Sequence, residues 1–265
     1  MKKGVRICYN VKNVYTRGSI LTEIKIIKCS SYADCAEVLT KKLKCTRAVD
    51  ERNVIFCEDK LTLTIEKAVL KKCGGSFDTV VTTFKRYLSS HANTDKVLNK
   101  SGSAVVVKKI LSEHNSEFGF VCKKNYRGLP LTVYNLISQL VSSSVTPEDV
   151  LDCAEKTEGI LSAKLHDIYL AYKLYFNEIE GRWLDSGTYL DKLPKAIEED
   201  ADIKKQDVYL VGYSSWTAQA CEIVKSLIKN AKSVTLLAVC GENEGFFLNE
   251  TYKKFVALCG RLKTP

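Results

Sequence analysis

The sequence contains no apolar run as long as a membrane-spanning helix requires, so we expect no integral membrane segment. Its start, MKKGVRICYN, has basic residues but no long apolar segment or small-residue cleavage site behind them, which argues against a signal peptide. The 11 cysteines include no C-x-x-C pair. Together with the missing signal, this scatter indicates reduced thiols in a cytoplasmic protein and not a disulfide framework.

Residues for metal and nucleotide chemistry are also scarce. The three histidines, His91, His114 and His166, lie far apart in the sequence, so we expect no metal site. The phosphate-binding pattern G-x-x-x-x-G-K occurs nowhere. After the strand candidate Ile24–Ile27 the chain instead has CSSYADC (29–35), with no glycine, no suitably placed lysine and an aspartate that would repel phosphate. We therefore expect neither ATP hydrolysis nor a cofactor in this chain.

A serine nucleophile is the rival interpretation of Gly212-Tyr213-Ser214-Ser215-Trp216, because this segment lies between a predicted strand and a predicted helix. The second glycine of G-x-S-x-G is replaced by Trp216, whose bulk does not suit the tight approach of strand and helix. The triad order also requires a histidine after the serine, and all three histidines precede it. The pattern therefore argues against a hydrolase.

Positive charge is concentrated in the first part of the chain. Residues 1–150 contain 25 Lys and Arg against 14 Asp and Glu, whereas residues 151–265 contain 15 against 17. A basic half suggests an acidic partner, most often nucleic acid. A merely solvated basic surface is the alternative from charge alone.

The most informative stretch, Asp207–Val239, has the pattern strand, turn, helix, strand. Val208–Val211 and Val234–Val239 are short apolar runs, and helically spaced apolar residues lie between them. The hydroxyls of Ser214, Ser215 and Thr217 are candidate helix caps. A β-α-β unit of this kind builds a parallel sheet, whose ligands bind beyond the carboxyl ends of the strands.

Strands and helices also alternate near the start of the chain. The pattern predicts strands at Ile24–Ile27, Asn53–Cys57 and Thr79–Thr83, and helices at Asp34–Leu43, Leu61–Leu70 and from Phe84. Val5–Tyr9 is a short strand or part of a mobile arm. We expect residues 1–90 and 205–265 to form one α/β domain.

The intervening residues 91–204 predict a helical insertion. Helices are expected at Leu129–Val141, after the Thr146 cap with Pro147 at the first helical position, and over Leu161–Ile179. The aromatic stripe of the last helix is interpreted as core and not as a base-stacking platform; it comprises Tyr169, Tyr172, Tyr175 and Phe176. A polar loop with solvated acids is expected after Pro194; these acids are Glu198, Glu199, Asp200 and Asp202.

Five ordered segments carry a resemblance to a known family: EDKLTLTIEKA (58–68), TFKRYL (83–88), KLHDIY (164–169) with Tyr175 and Leu184-Asp185, VGYSSWTAQ (211–219), and KSVTL (232–236). They resemble P-E-Q-M-T-F-Q-A-E-Y-A, S-F-x-R-L-A, K-L-x-D-L…Y with Y-x-D, I-D-G-F-x-x-F-T-P-Q and the strand after it in the N-terminal part of AddB. AddB is the subunit of bacterial helicase–nuclease complexes that carries an inactivated helicase domain.

The resemblance implies a superfamily 1 helicase-like first motor domain. Its sheet would be a P-loop NTPase-like, 1A-like parallel sheet, and the helical insertion would correspond to subdomain 1B. The expected partners are DNA, as a duplex end or single-stranded tail, and an AddA-like motor subunit. The expected function is that of a non-hydrolysing DNA-binding scaffold in a helicase–exonuclease subunit of double-strand-break repair and recombination.

Departures from the family pattern define a degenerate ATP site. Val211 stands where the magnesium-associated aspartate of the family would be, and the phosphate-loop position holds Ser30, Ser31 and Asp34. Lys60 stands where the family has the glutamine of P-E-Q-M-T. We predict that six residues face DNA: Lys60, Thr62, Thr64, Phe84, Lys85 and Arg86.

Two alternatives remain open at this point. Lys85 and Arg86 lie beside aromatic residues at a predicted strand end, which suits phosphates and bases, but a solvated helix start explains them equally well. The chain could also be a protein-interaction scaffold that docks the motor subunit without touching DNA.

Overall fold

The computed structural model describes residues 8–9, 22–43, 51–75, 77–91, 96–119, 127–240 and 250–261. The chain divides into two compact units, Asn93–Lys192 and Met1–Ala92 with Leu193–Pro265. The first is called the helical unit and the second the sheet unit. Their assignment to helicase subdomains stays a prediction.

The sheet unit is built on a mostly parallel sheet, as the α/β prediction requires. Its described strands are β1 (Cys8–Tyr9), β2 (Glu23–Cys29), β3 (Asn53–Cys57), β4 (Thr79–Thr82), β7 (Asp207–Val211) and β8 (Ser233–Val239), in the spatial order β1-β2-β8-β7-β3-β4. Only β1 is antiparallel to its neighbour. Of the uncertain segment Val5–Tyr9, residues 5–7 lie outside the described residues.

Two groups of helices pack on this sheet. The helices are α1 (Tyr32–Lys42), α2 (Asp59–Cys73), α3 (Phe84–His91), α8 (Leu193–Glu199), α9 (Ala218–Asn230) and α10 (Glu250–Arg261). Helices α1 and α2 contact each other, whereas α8 contacts α3 and α9, and α10 contacts α9. Alternate residues of β3 divide between the groups. Ile55 belongs to the cluster that contains α1 and α2 side chains, and the Phe56 ring contacts the tilted ring of Phe84 of α3, at 5.1 Å between centroids. The sheet is therefore covered on both faces, which explains why β3 is buried throughout.

The acidic segment after Pro194 differs from the prediction. The first part of the predicted polar loop is instead helix α8, which ends at Glu199, because Leu193 and Ile197 supply a buried stripe. Asp200 and Asp202 lie after the helix. Glu198, Glu199 and Asp202 are exposed as expected. Asp200 is mostly buried, and its Oδ2 accepts a hydrogen bond from the Tyr87 hydroxyl at 2.8 Å. Burial and this contact with Asp200 raise the pKa of the Tyr87 phenol.

The helical unit contains α4 (Lys100–Glu113), α5 (Leu129–Ser142), α6 (Pro147–Glu155) and α7 (Gly159–Ile179). Two short strands that the sequence analysis missed, β5 (Val97–Leu98) and β6 (Leu184–Asp185), pair in parallel. Helix α6 begins at the predicted cap: Thr146 Oγ1 accepts from the Asp149 amide, and the Asp149 carboxylate accepts from the Thr146 amide.

Aromatic residues of α7 form core, as predicted. Tyr172 and Tyr175 are buried, and Tyr169 and Phe176 are partly buried against the same cluster. Asp185 is buried beside them. Its Oδ2 accepts hydrogen bonds from the hydroxyls of Tyr175 at 2.6 Å and Tyr134 at 3.0 Å. Its Oδ1 accepts from the amide of Gly187 at 2.6 Å. The carboxylate therefore ties α5 and α7 to the segment that follows β6.

In the described ranges, no helix combines the length and the apolarity needed to cross a membrane. Seven cysteines of these ranges form no disulfide. Cys73, the last residue of α2, lies in a disulfide bond, which corrects the expectation of reduced thiols throughout.

Asp185→Ala should reduce the free energy of unfolding by about 3 kcal/mol, because two buried hydroxyls lose their acceptor. Asp152→Ala, which removes an exposed acid from α6, is the matched control and should change the stability by less than about 0.5 kcal/mol. Urea denaturation followed by circular dichroism measures both. Equal losses in the two variants would contradict the assigned role of Asp185.

Candidate nucleic-acid interface

The sheet unit has a topological switch point between β3 and β7. These strands are neighbours, but the chain leaves them in opposite directions: β3 leads through α2 to β4 on one side, and β7 leads through α9 to β8 on the other. The crevice outside the carboxyl ends of two such strands is the usual ligand-binding place of an open α/β sheet. The candidate site is therefore formed by the loops at this edge.

Glu58 connects the two loops at the switch point. Its Oε1 accepts from the Ser214 amide at 3.3 Å and from the Ser214 hydroxyl at 3.5 Å, and its Oε2 lies 2.6 Å from Lys60 Nζ. Lys60 Nζ also lies 5.8 Å from the centre of the Tyr32 ring. The hydrogen bond to Glu58 raises the pKa of Lys60, so this exposed lysine is a cation at neutral pH.

Side chains fill the floor of the crevice. Gly212, directly after β7, has φ +74°, and a Cβ there would lie 2.3 Å from Leu61 Cδ1 and 3.3 Å from Tyr32 Cδ1. The next residue, Tyr213, is buried with its ring nearly parallel to that of Phe84, at 5.6 Å between centroids. The crevice is thus a closed, aromatic-backed surface at this point.

The four residues of the predicted degenerate ATP site all lie at or near strand ends. Asp34 Oδ2 accepts from the Ser30 amide at 2.9 Å and from the Ser30 hydroxyl at 3.2 Å, and Ser31 Oγ accepts from the Asp34 amide at 3.1 Å. The Ser30 amide therefore already has an acceptor within the chain. Val211 is buried in the core that contains α1 and α2 side chains, where it can bind no ion.

The six residues predicted to face DNA divide into two classes. Lys60, Thr64, Lys85 and Arg86 are exposed. Thr62 and Phe84 are buried, so their side chains support the surface from behind. The Thr62 hydroxyl lies 3.8 Å from the Cys57 sulfur, and burial raises the pKa of that thiol.

The exposed cations lie at one edge because β3 and β4 are parallel neighbours. Lys60 is the second residue of α2, and Lys85 and Arg86 are the second and third residues of α3. Both helices begin where their strands end. Their amino ends add the positive pole of the helix dipole to the side-chain charges.

The net positive charge of the chain belongs to the sheet unit. It carries 28 Lys and Arg against 18 Asp and Glu, whereas the helical unit carries 12 against 13. In the described ranges no group of three or more His, Cys, Asp or Glu side chains could hold a metal ion. The site therefore offers exposed cations and an exposed threonine hydroxyl to a ligand, with buried aromatic rings behind them.

Comparison with known proteins identifies the family. A family profile described as ADDB, N-terminal, matches residues 34–256, which include most of the sheet and helical units. The chain belongs to this AddB N-terminal family. The resemblance drawn from the five sequence segments is thereby confirmed.

Curated relatives are each named as the subunit designated B of an ATP-dependent helicase/deoxyribonuclease. The Lachnoclostridium phytofermentans protein is 26% identical over 166 residues, which cover 61% of this chain and 14% of the relative. The Bacillus subtilis protein is 26% identical over 205 residues, which cover 71% of this chain and 18% of the relative. The Staphylococcus haemolyticus protein is 25% identical over 204 residues, which cover 73% of this chain and 18% of the relative. The chain thus spans less than a fifth of the length of these relatives.

The bridge from Glu58 to Ser214 is a feature of this AddB region that the sequence analysis missed. The two residues are 156 positions apart, and no local pattern links them. The available signal was that each directly follows a predicted buried strand or its turn. Only the adjacency of β3 and β7 shows that the two loops meet.

Gly212→Ala should destabilise this AddB region by about 3 kcal/mol, through the left-handed backbone and the clash with Leu61. Gly74→Ala is the matched control, because Gly74 has φ +67° with no atom within 4 Å of a Cβ, so it should cost about 1 kcal/mol. In a Leu61→Ala background, the cost of Gly212→Ala should fall toward that of Gly74→Ala, with the Tyr32 ring 3.3 Å away as the remaining tight contact. Unfolding free energies of the four variants measure this. Equal costs at the two glycines in the unaltered background would contradict the closed crevice.

Proposed function

We propose that this AddB N-terminal region is a helicase-like scaffold that grips DNA without hydrolysing ATP. It would act in a helicase–exonuclease subunit of double-strand-break repair and recombination, beside an AddA-type motor subunit. In this proposal the sheet unit corresponds to subdomain 1A, with a P-loop NTPase-like fold, and the helical unit to subdomain 1B. The proposal depends chiefly on one observation, the set of exposed cations at the carboxyl edge of the basic sheet unit.

Phosphate contact explains this set of cations best. Lys60, Lys85 and Arg86 lie in the first turns of two helices that begin at the same edge of the sheet. Lysine and arginine side chains together with helix amino ends are the usual partners of the DNA backbone, and they bind it without reading sequence. Thr64, one turn after Lys60 on α2, adds an exposed hydroxyl.

Two contacts at the strand ends support the proposed absence of hydrolysis. Asp34 places negative charge on the Ser30 amide, and Leu61 with Tyr32 occupies the space above Gly212. A nucleotide phosphate would have to displace Asp34 from the Ser30 amide, and a base or sugar would have to displace Leu61 and Tyr32. Val211 provides no oxygen for magnesium.

A protein-docking scaffold is the second candidate, and one observation favours it. Four apolar side chains are exposed on α2, on the segment that follows α2, and on β4: Leu63, Leu70, Phe77 and Val80. Phe77 is 95% exposed. In the described ranges β4 pairs with β3 alone, so it is an edge of the sheet. Apolar side chains along a sheet edge are typical of a protein contact.

The double variant Lys85→Ala/Arg86→Ala tests the DNA-gripping role. Fluorescence anisotropy with a tailed duplex, at several salt concentrations, should show weaker binding. The slope of log K against log salt should become shallower by about 1.4 to 1.8, since two phosphate contacts are lost. Lys71→Ala/Lys72→Ala removes the same charge from exposed positions in the last turn of α2 and should leave the slope within about 0.5 of the unaltered chain.

An unchanged slope in Lys85→Ala/Arg86→Ala would show that the phosphates lie elsewhere. If the unaltered chain does not bind the duplex even at low salt, the DNA-gripping role fails and the docking scaffold takes its place.

ATP should neither be hydrolysed nor bound by the pure chain. Phosphate release should equal the protein-free blank, and ATP with magnesium should leave the melting temperature unchanged, because a ligand that binds the native state raises it. Turnover above the blank would revive an active nucleotide hydrolase. A raised melting temperature without turnover would show that Asp34 and Leu61 yield to the nucleotide.

A further inference from the structure

Trp183 is an exposed indole in the helical unit. The chain has two tryptophans, of which Trp183 is 49% exposed and Trp216 only 2%. Large aromatic side chains normally bury most of their area, so an indole this open is a candidate for contact with a ligand. Trp183 lies between α7 and β6, and the proposed function assigns nothing to it.

The backbone around Trp183 is held in one conformation. The amides of Arg182 and Trp183 both donate to the Ile179 carbonyl, at 3.1 and 2.9 Å, and the Leu184 amide donates to the Lys96 carbonyl at 2.8 Å. Gly181 allows the turn through its φ of +69°. An indole displayed on such a turn loses little freedom when it binds, so more of its contact energy appears as affinity.

Two cationic residues are backbone neighbours of Trp183. Lys96 and Trp183 immediately precede the paired residues of the parallel β5–β6 ladder, so their backbones run side by side. Lys96 is exposed, and the side chain of Arg182 is 70% exposed. An aromatic face beside lysine and arginine is the combination that stacks a base and holds the neighbouring phosphate.

The nearby acids do not cancel these cations. Glu178 lies 2.8 Å from Lys109 Nζ and 3.4 Å from Arg182 Nη1, so its charge is matched within the helical unit. Glu180, the residue that ends α7, is exposed and is the remaining acid of this turn. Lys109 also lies 3.9 Å from Glu113. Counted with Lys100 at the start of α4, the four cations Lys96, Lys100, Lys109 and Arg182 exceed the three acids Glu113, Glu178 and Glu180 by one.

We infer that Trp183, Lys96 and Arg182 form a base-stacking site for single-stranded nucleic acid on the helical unit. The inference rests on the proposed DNA binding and adds a contact to bases, which the phosphate contacts of the sheet unit do not provide. A single indole among cations favours a nucleobase over a protein surface, because protein contacts centre on several apolar side chains that pack together.

The tryptophan itself reports on this site. Acrylamide should quench Trp183 and spare the buried Trp216, and a saturating fifteen-residue oligothymidylate should remove the accessible fraction. An oligomer of equal length with abasic sugars keeps the phosphates and should not protect Trp183 from acrylamide.

In anisotropy titrations Trp183→Ala should weaken oligothymidylate binding by about 5- to 150-fold, and Trp183→Phe should restore much of it. Leu161→Ala, which removes a 56% exposed apolar side chain from α7, should have no effect.

Each other outcome overturns the inference. If anisotropy shows binding while Trp183 stays accessible, DNA binds elsewhere; the proposed function then stands and the stacking site fails. If the abasic oligomer protects equally, the contact is to phosphate and not to bases. If no oligomer binds at low salt, both proposals fail. Protection of Trp183 by a purified AddA-type subunit without DNA would identify a protein contact instead.

Discussion

The parallel pairing of β3 with β7 is the constraint on which the rest of the sheet unit depends. It joins Asn53–Cys57 to Asp207–Val211 residue for residue, although the helical unit lies between them in sequence. The entropic cost of closing such a long connection grows only slowly with its length, and the inserted residues fold around a core of their own. Without this pairing there would be no switch point, and Glu58 could not reach Ser214.

Carboxylates of the chain accept backbone amides at two of the strand ends. Asp34 accepts the Ser30 amide at the end of β2, and Glu58 accepts the Ser214 amide near the end of β7. Each removes a backbone donor that would otherwise need a partner. Because these amides already have acceptors, the two loops are stable without a ligand. The negative charge of the two carboxylates is also electrostatically unfavourable for an anionic ligand. The cations at the rim, Lys60, Lys85 and Arg86, are left to face solvent.

Several residues that carry the family resemblance have an architectural role. Asp167 is buried and accepts the Gly119 amide at 2.8 Å. Tyr175 and Asp185 form the buried hydrogen-bonded pair that links α7 to the segment after β6. A buried polar group must be satisfied wherever it occurs, so such positions hold the helical unit together whatever it binds. The proposed DNA contacts depend on exposed residues outside this network.

Most strands and helices could be located from the sequence, although β5, β6 and α8 could not. Apolar spacing is a local property, so the strands Asn53–Cys57 and Asp207–Val211 and the helix after Thr146 could be located without a structure. The absence of the phosphate-loop pattern G-x-x-x-x-G-K could also be read directly from the sequence. Three features are apparent only in the folded chain: the strand order, the burial of Thr62 and Phe84, and the contact between Tyr87 and Asp200. These depend on which distant segments pair. Such pairing is set by the summed packing of both faces of the sheet, and no short stretch of sequence encodes it.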